Sequence, residues 1–190
     1  MKRSFPILGL LALVSCRSFH DAESRGGYIT YGEADFTADA ADDAASVSAA
    51  EFGVLYGDGE DGRMVGFVGD IALRGSTGSQ TFDGTGAELH QLGLRTGVRY
   101  YWDTRTRAIQ PYLGAGLLFQ HAWDRSSTLG VKTDDSALGF VAMVGVEAML
   151  GDALRLGLGC QLTLGIDPEL DVYSFDLDSV TPLISLGYGF

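Results

Sequence analysis

The chain has 190 residues, of which 46% are hydrophobic and 20% charged, and its formal net charge is −12. This composition is too apolar for a disordered protein and fits one folded domain. The acidic balance argues against nucleic acid as a partner, because binding to phosphates needs basic side chains. Glycine is abundant, with 27 residues against 4 prolines and no collagen period, which indicates many turns or closely packed strands.

The N-terminal segment has the three parts of a secretory signal peptide, namely a basic start, the apolar run FPILGLLALV and a small-residue exit. The stretch LVSC at residues 13–16 resembles a bacterial lipobox, in which the cysteine becomes the first residue and carries acyl chains. We therefore predict a signal peptide over residues 1–15, lipid attachment at Cys16 and a periplasmic linker over residues 16–25. Ordinary cleavage nearby, with Val14 and Cys16 at the −3 and −1 positions, is the alternative.

From residue 26 onward, the chain reads as eight β-strands. Three weaker segments come first, GYITYGEADF, AAEFGVLYG and RMVGFVGDIALR, and they are followed by HQLGLRTGVRYYW, QPYLGAGLLFQHAW, SALGFVAMVGVEAM, ALRLGLGCQLTLGI and the C-terminal segment that ends in SLGYGF. In each strong segment, apolar residues alternate with small or polar ones, which is the period of a strand. No segment after the signal peptide has the ~18 unbroken apolar residues of a membrane-spanning helix.

The connectors between these segments alternate in length. Long connectors are predicted around residues 38–46, 75–86, 124–136 and 167–179, and short ones around 58–62, 103–108 and 150–152. Long loops at one end and tight turns at the other are typical of a closed up-and-down sheet. The sequence thus predicts an all-β fold, an eight-stranded antiparallel up-and-down transmembrane β-barrel over residues 26–190.

The orientation of the two faces decides between a membrane barrel and a soluble lipocalin-like barrel, which is the alternative fold. The non-apolar parity carries many glycines and a set of charged residues that we expect to form a network in the lumen. These are Glu51, Asp70, Arg95, Arg99, Glu147 and Arg155. Such a face is a poor surface for a soluble protein and a reasonable lining for a crowded polar lumen, so the pattern favours the membrane barrel.

Aromatic residues are predicted to lie at the strand ends that meet the short turns or the chain ends, where they would form a periplasmic girdle at the membrane interface. These residues are Tyr28, Tyr56, Tyr100, Trp102, Tyr188 and Phe190. The strands are long enough to cross the apolar band of the membrane, because about 10 residues at a ~3.3 Å rise and ~40° tilt cover roughly 25 Å, which is the height of that band.

The chain resembles the small eight-stranded outer-membrane barrels of diderm bacteria, the OmpA-, OmpX- and OmpW-like group, and PYLGAGLLF is similar to a strand seen there. The resemblance covers residues 26–190. It implies a bacterial outer-membrane location with a periplasmic N-terminus, contact with outer-membrane lipid, and recognition of the last strand, ending in Phe190, by the barrel-assembly machinery. Cys16 departs from the group, because most such barrels lack an acyl anchor.

The charged lumen residues have two interpretations, a plug that fills the barrel or a gate on a narrow ion path. An eight-stranded barrel is only about wide enough for its own side chains, which favours the plug. A three-residue turn at 150–152 would place Glu147 directly opposite Arg155, and a centred register would place Asp70 near Arg95.

The histidines offer little for catalysis or metal binding, so we expect neither an enzyme nor a cofactor. Catalysis needs a nucleophile, a base and an orienting group within reach of one another, and no such set stands out. A register that pairs Trp102 with Ile109 would pair His90 with His121 on the outward face. Two neutral imidazoles in contact are a weak candidate for a metal site, and an interfacial polar pair is the alternative.

The long connectors are acidic, which suggests divalent cations as possible partners and equally fits a solvated surface. The carboxylates are Asp39, Asp42 and Asp43 in the first loop and Asp167, Glu169, Asp171, Asp176 and Asp178 in the last. We expect a structural or surface-interaction role in adhesion or envelope integrity. A narrow channel for small or hydrophobic solutes and a lipid-modifying barrel enzyme are the alternatives.

Overall fold

The computed structural model describes residues 24–38, 45–60, 63–82, 85–104, 108–124, 134–151, 153–166, 169–170, 173–176 and 178–189. These residues form ten β-strands. The strands are β1 (Ser24–Ala38), β2 (Ala45–Glu60), β3 (Arg63–Phe82), β4 (Thr85–Tyr101), β5 (Ile109–Asp124), β6 (Asp134–Leu150), β7 (Leu154–Leu164), β8 (Glu169–Leu170), β9 (Tyr173–Asp176) and β10 (Ser179–Gly189).

Eight of these strands close into a barrel. Strands β1 to β7 pair with their neighbours in chain order, and β10 pairs with β7 on one side and with β1 on the other. The closing seam is antiparallel and runs from the pair Gly26 and Gly189 to the pair Gly32 and Leu183. Because no barrel strand keeps a free edge, the predicted antiparallel up-and-down eight-stranded barrel is confirmed.

The wall of the barrel is apolar outside and polar inside. In β10, Ile184, Leu186 and Tyr188 are exposed, while Thr181 and Ser185 are buried. Phe140 on β6 leaves 67% of its surface exposed, whereas Asp70 on β3 is 0% exposed. A lipocalin-like barrel would have the reverse arrangement, so that alternative is wrong. Among the described residues, no helix is long and apolar enough to cross a membrane.

Glycines on the wall make room for tyrosine rings from the neighbouring strand. Tyr28 of β1 is paired with Gly53 of β2, and Tyr112 of β5 with Gly145 of β6. A Cβ atom built on either glycine would overlap the facing ring. The glycine content read from the sequence is therefore used in close packing inside the barrel, and not in turns alone.

The loop end of the barrel is more ordered than the sequence indicates. The segment 75–86, expected to be a long connector, continues β3 and β4 as a hairpin that pairs as far as Phe82 and Thr85. Within the expected loop 167–179, β8 and β9 pair with each other, and β9 also pairs with β1. The Gly- and Ser-rich composition of the 75–86 segment indicates a loop, and cross-strand pairing overrides it.

Several predictions concern the two ends of the chain. The signal peptide over residues 1–15, the acylated Cys16 and Phe190 lie outside the described residues. The first strand begins at Ser24, two residues before the predicted start of the barrel at residue 26.

Candidate functional site

Among the side chains that the structure describes, seven charged ones project into the barrel from the inward parity of five strands. They are Glu51 on β2, Asp70 and Arg74 on β3, Arg95 and Arg99 on β4, Glu147 on β6 and Arg155 on β7, and all seven are buried. Burying a charge is costly unless it is paired and hydrogen-bonded. The contacts among these residues therefore determine whether the interior is stable.

Asp70 is the centre of the group. Its Oδ2 atom lies 2.7 Å from Nη1 of Arg95 and 2.7 Å from Nε of Arg99. The hydroxyl of Tyr28 donates a hydrogen bond of 2.6 Å to Oδ1 of Asp70 and accepts one from Nη2 of Arg95. Both carboxylate oxygens of a fully buried aspartate are thus bonded, which is the condition for keeping its charge in the interior.

The other two carboxylates extend the group toward both ends of the barrel. Glu51 lies 3.0 Å from Nη2 of Arg95 and 3.8 Å from Nη1 of Arg74. Glu147 lies 3.6 Å from Nη1 of Arg99 and 3.5 Å from Nη1 of Arg155. The charges therefore alternate in sign along one continuous series, which we call the charge ladder: Arg74, Glu51, Arg95, Asp70, Arg99, Glu147 and Arg155.

Aromatic and polar side chains surround the ladder. The guanidinium of Arg99 lies over the rings of Tyr28 and Tyr112, 4.5 and 5.0 Å from their centroids, which adds cation–π attraction. Tyr101 donates a hydrogen bond of 3.0 Å to Glu147. With Tyr28 on β1 and Tyr112 on β5, the ladder and its tyrosines connect all seven strands from β1 to β7, so this part of the lumen is filled and cross-linked by side chains.

The ladder is least satisfied at its Arg155 end. It contains four guanidinium groups and three carboxylates. The Nε, Nη1 and Nη2 atoms of Arg155 are all buried without a hydrogen-bond partner, whereas in Arg74 and in Arg95 this holds for the Nε atom alone. The ion pairs of Asp70 and Arg95 at the centre are 2.7–3.0 Å long, and those toward the ends are 3.5–3.8 Å long.

Sequence reasoning placed six ladder residues in the lumen, and the structure shows all six there. It missed Arg74, because the third strand was expected to end at that position. The proposed face-to-face pair of Glu147 and Arg155 is wrong in register, since Glu147 pairs with Gly157 and Arg155 with Met149. Strand β6 ends at Leu150, one residue later than expected, and Gly151 follows it at φ 77°.

The residues predicted to form the aromatic girdle are divided between the two faces of the wall. Tyr100, Trp102 and Tyr188 are exposed on the outer wall. The placement of Tyr28 and Tyr56 is wrong, because both are buried. Tyr28 points into the lumen toward Asp70, and the ring of Tyr56 covers Gly69 on the neighbouring strand, where no side chain competes for the space.

The predicted contact between His90 and His121 depended on a register that the structure does not have. His90 pairs with Trp123, and Leu92 pairs with His121, a shift of two residues. Both histidines lie next to Trp123, with ring centroids 5.9 Å (His90) and 5.7 Å (His121) from its ring. Within the described part of the chain, no group of three or more His, Cys, Asp or Glu residues could hold a metal ion.

One contact on the outer wall was not found from the sequence. Nδ1 of His121 lies 2.9 Å from Oγ of Ser136 across the β5–β6 pair. A hydroxyl next to an imidazole is the first requirement of a nucleophile–base pair. The two residues are 15 apart in the chain, so this contact depends on the register of the two strands.

The chain matches the outer membrane protein β-barrel domain family over residues 7–190. This match covers nearly the whole chain, so the protein belongs to that family and is a bacterial outer-membrane barrel. No curated protein matches the chain at a significant level.

Solved outer-membrane barrels have the same fold at low identity. Neisserial surface protein A is 16% identical, with a TM-score of 0.59 over 87% of this chain and 95% of that one. OprG from Pseudomonas aeruginosa is 17% identical, with a TM-score of 0.62 over 88% and 94%. Ail, the attachment invasion locus protein of Yersinia pestis, solved with the heparin analogue sucrose octasulfate, is 12% identical, with a TM-score of 0.55 over 88% and 98%.

Proposed function

We propose that this protein is a surface-interaction barrel, in which a closed membrane domain supports extracellular loops that act in adhesion or envelope integrity. The observation that carries the proposal is the charge ladder. Its seven charged side chains are buried, and a continuous series of ion pairs connects them across the lumen. A lumen occupied in this way favours a plug over a conducting path, and leaves the loop end as the part available to partners.

The length of the strands supports the same interpretation. Strand β3 has 20 residues, which at a ~3.3 Å rise and ~40° tilt span roughly 50 Å along the barrel axis, about twice the ~25 Å apolar band. The outward side chains of β3 change from apolar to small and polar after Leu73, with Gly75 and Thr77. The β3–β4 hairpin would therefore project from the lipid on the side opposite the short turns.

The charge of the loops indicates the chemistry of the partner. The first and last long connectors carry acidic residues at Asp39, Asp42, Asp43, Asp167, Glu169, Asp171, Asp176 and Asp178. Such a surface attracts basic protein surfaces, or divalent cations that bridge it to lipid phosphates. Ail was solved with an anionic heparin analogue, and we expect the acidic loops of this chain to repel such a ligand.

In the proposed orientation, the short turns and the N-terminus lie in the periplasm and the long loops lie outside. Cys16, if acylated, would anchor the linker 16–25 in the inner leaflet of the outer membrane. The last strand, with exposed Leu186 and Tyr188 followed by Phe190, would be the segment recognised by the barrel-assembly machinery. Mass spectrometry of the mature N-terminus tests the anchor, since an unmodified amine there rules it out.

Loop neutralisation tests the proposed role. Cells that express the chain are compared with cells carrying Asp167→Asn, Glu169→Gln and Asp171→Asn together, for adherence to an immobilised basic protein and for uptake of a hydrophobic dye. The control variant replaces Asp58, Glu60 and Asp61 by their amides. These residues belong to the predicted short connector 58–62, at the end of the barrel opposite the long loops. We expect the loop variant to lose adherence or to admit more dye, and the control to behave as wild type. Equal behaviour of all three, or single-channel steps in planar bilayers, would contradict the proposal.

A lipid-modifying enzyme is a second candidate, supported by the contact between His121 and Ser136. The pair lies on the outer wall near the loop end, within reach of an outer-leaflet lipid. Asp134, two residues before Ser136 on β6, shares its face, as an orienting acid would. Overexpression followed by mass analysis of outer-membrane lipid tests this role. A changed lipid that reverts with Ser136→Ala would support the enzyme, and an unchanged lipid profile would oppose it.

A further inference from the structure

The outer wall has a hollow that crosses the first five strands. A cavity of about 330 Å³ opens there, and its floor is formed by the small residues Ala50 and Gly75. Tyr31 forms one side, and His90 and Trp123 form the other. A Cβ atom on Gly75 would meet nothing within 4 Å, so this space is open. We call it the wall groove, and its volume lies at the lower end of ligand pockets, roughly 300–1,000 Å³.

The groove lies at the upper edge of the apolar belt. Below it, Phe52, Leu73 and Leu92 are exposed in the lipid-facing wall. Above them on the same strands, Ser48, Thr77 and His90 line the groove. The wall thus changes from apolar to polar along these strands. A ligand that matches this change has a hydrocarbon part directed toward the bilayer centre and a polar part at the outer interface.

The upper part of the groove has unused hydrogen-bonding capacity. Nε2 of His90 is buried without a hydrogen-bond partner, and the nearest carboxylate, that of Glu88, is 3.8 Å away. The His90 ring stacks on Trp123 at 5.9 Å. On the opposite side, Tyr31 and Ser48 contact Glu33 at 3.1 and 3.3 Å. Aromatic side chains thus border the hollow on two sides, each with a carboxylate beside it.

The charges around the groove restrict the head group of the ligand. Glu33 and Glu88 flank it, and no Lys or Arg is among its described lining residues. Phosphate or sulfate would be repelled, since like charges at short range are unfavourable. Hydroxyl groups would donate to the carboxylates and bond to His90, and a sugar ring presents apolar faces to aromatic side chains.

We propose that the wall groove binds a single-chain glycolipid with an uncharged sugar head. The chain lies over Ala50 and Gly75, and the sugar lies between Tyr31 and the His90–Trp123 stack. This site is separate from the charge ladder and from the acidic loops. The glycolipid proposal is therefore independent of the proposed surface role.

Fluorescence quenching of Trp123 tests the site directly. The chain has 2 tryptophans, so Trp102→Phe leaves Trp123 as the single emitter. The protein is placed in phosphatidylcholine nanodiscs, and a glucosyl lipid with a brominated chain is added. Specific binding gives quenching that saturates at a low fraction of the probe, whereas general lipid contact gives quenching proportional to that fraction. We expect saturation with the glucosyl probe and proportional quenching with the same chain on a sulfate head.

Two substitutions of the same kind distinguish the groove from the rest of the wall. Ala50→Leu fills the floor, and Ala142→Leu adds the same volume on the exposed face of β6, outside the groove. Both variants are checked for folding by the heat-dependent shift in gel mobility. We expect Ala50→Leu to lose the saturable quenching and Ala142→Leu to keep it. Proportional quenching in the parent protein, equal saturation with the sulfate probe, or equal behaviour of the two variants would overturn the proposal.

Discussion

The inner and outer surfaces of this barrel are built by opposite rules. Inside, Asp70 is bonded to Arg95, Arg99 and Tyr28, and each partner is defined by atom and distance. Outside, residues such as Leu158 and Phe140 are exposed and need only a hydrocarbon environment. The interior therefore depends on the identity of each residue, whereas the exterior depends on apolar character and depth. We therefore expect interior substitutions to lower the unfolding free energy more than exterior ones, with the largest losses at the centre of the ladder.

Arg95→Met should be the most damaging single change. Arg95 contacts Glu51 at 3.0 Å and Asp70 at 2.7 Å, and its loss leaves two buried carboxylates with fewer partners. Breaking a buried pair from one side costs about 3–5 kcal/mol of unfolding free energy. Urea unfolding in lipid vesicles, followed by tryptophan fluorescence, measures the loss. Arg74→Met is the control, because its ion pair with Glu51 is longer, 3.8 Å. Equal losses would mean that the ladder is not centred on Asp70.

Leu158→Arg should have the next largest effect. Leu158 is 60% exposed and lies near the middle of β7. Arginine near the bilayer midplane costs roughly 2–4 kcal/mol, and near an interface about 0–1 kcal/mol. Leu164→Arg, at the end of the same strand and on the same face, is the matched control. The same urea titration compares them, and an equal cost at both positions would contradict the proposed depth of the apolar belt.

Gly53→Val tests the packing of tyrosine against glycine. A Cβ atom at Gly53 overlaps the ring of Tyr28, and overpacking of this kind costs about 1–3 kcal/mol. It should also displace the Tyr28 hydroxyl from Asp70. Gly75→Val is the control, because its Cβ would lie in open space. If the two variants unfold at the same urea concentration, the ring does not need the space left by Gly53.

The sequence determines which face a residue occupies far better than which residue it opposes. Alternation identified the lumen positions of all six predicted charges. Alternation does not determine the register between strands, because a shift by two residues keeps every side chain on its face and leaves the pattern unchanged. The pairs Glu147 with Arg155 and His90 with His121 were both displaced by such a shift. Turn geometry decides the register, and the turn after β6 begins one residue later than its composition indicates.

Errors in the assignment of faces occurred where the alternation is weak. In GYITYG, Tyr28 and Ile29 are adjacent and both apolar, so the pattern favours neither face. The structure resolves the choice through Asp70, which is 42 residues away and accepts a hydrogen bond from the Tyr28 hydroxyl. Arg74 was missed for a related reason, since the Gly- and Ser-rich stretch after it indicates a loop. In both cases a distant partner, absent from the local sequence, fixes the position.

Arg155→Met should have the smallest effect among the interior changes, although Arg155 is as deeply buried as Arg95. Its three guanidinium nitrogens lack hydrogen-bond partners, and Glu147 lies 3.5 Å away. Oε1 of Glu147 would keep Tyr101 at 3.0 Å and Arg99 at 3.6 Å, so the carboxylate retains two partners, and its Oε2, which has no hydrogen-bond partner, loses the ion pair at 3.5 Å. The substitution also removes the excess cation from a ladder of four guanidinium groups and three carboxylates. Apolar replacement of a poorly satisfied buried charge is often neutral or stabilising, so the unfolding free energy should fall by less than about 1 kcal/mol or rise. A loss equal to that of Arg95→Met would mean that burial, and not pairing, decides the cost of each interior residue.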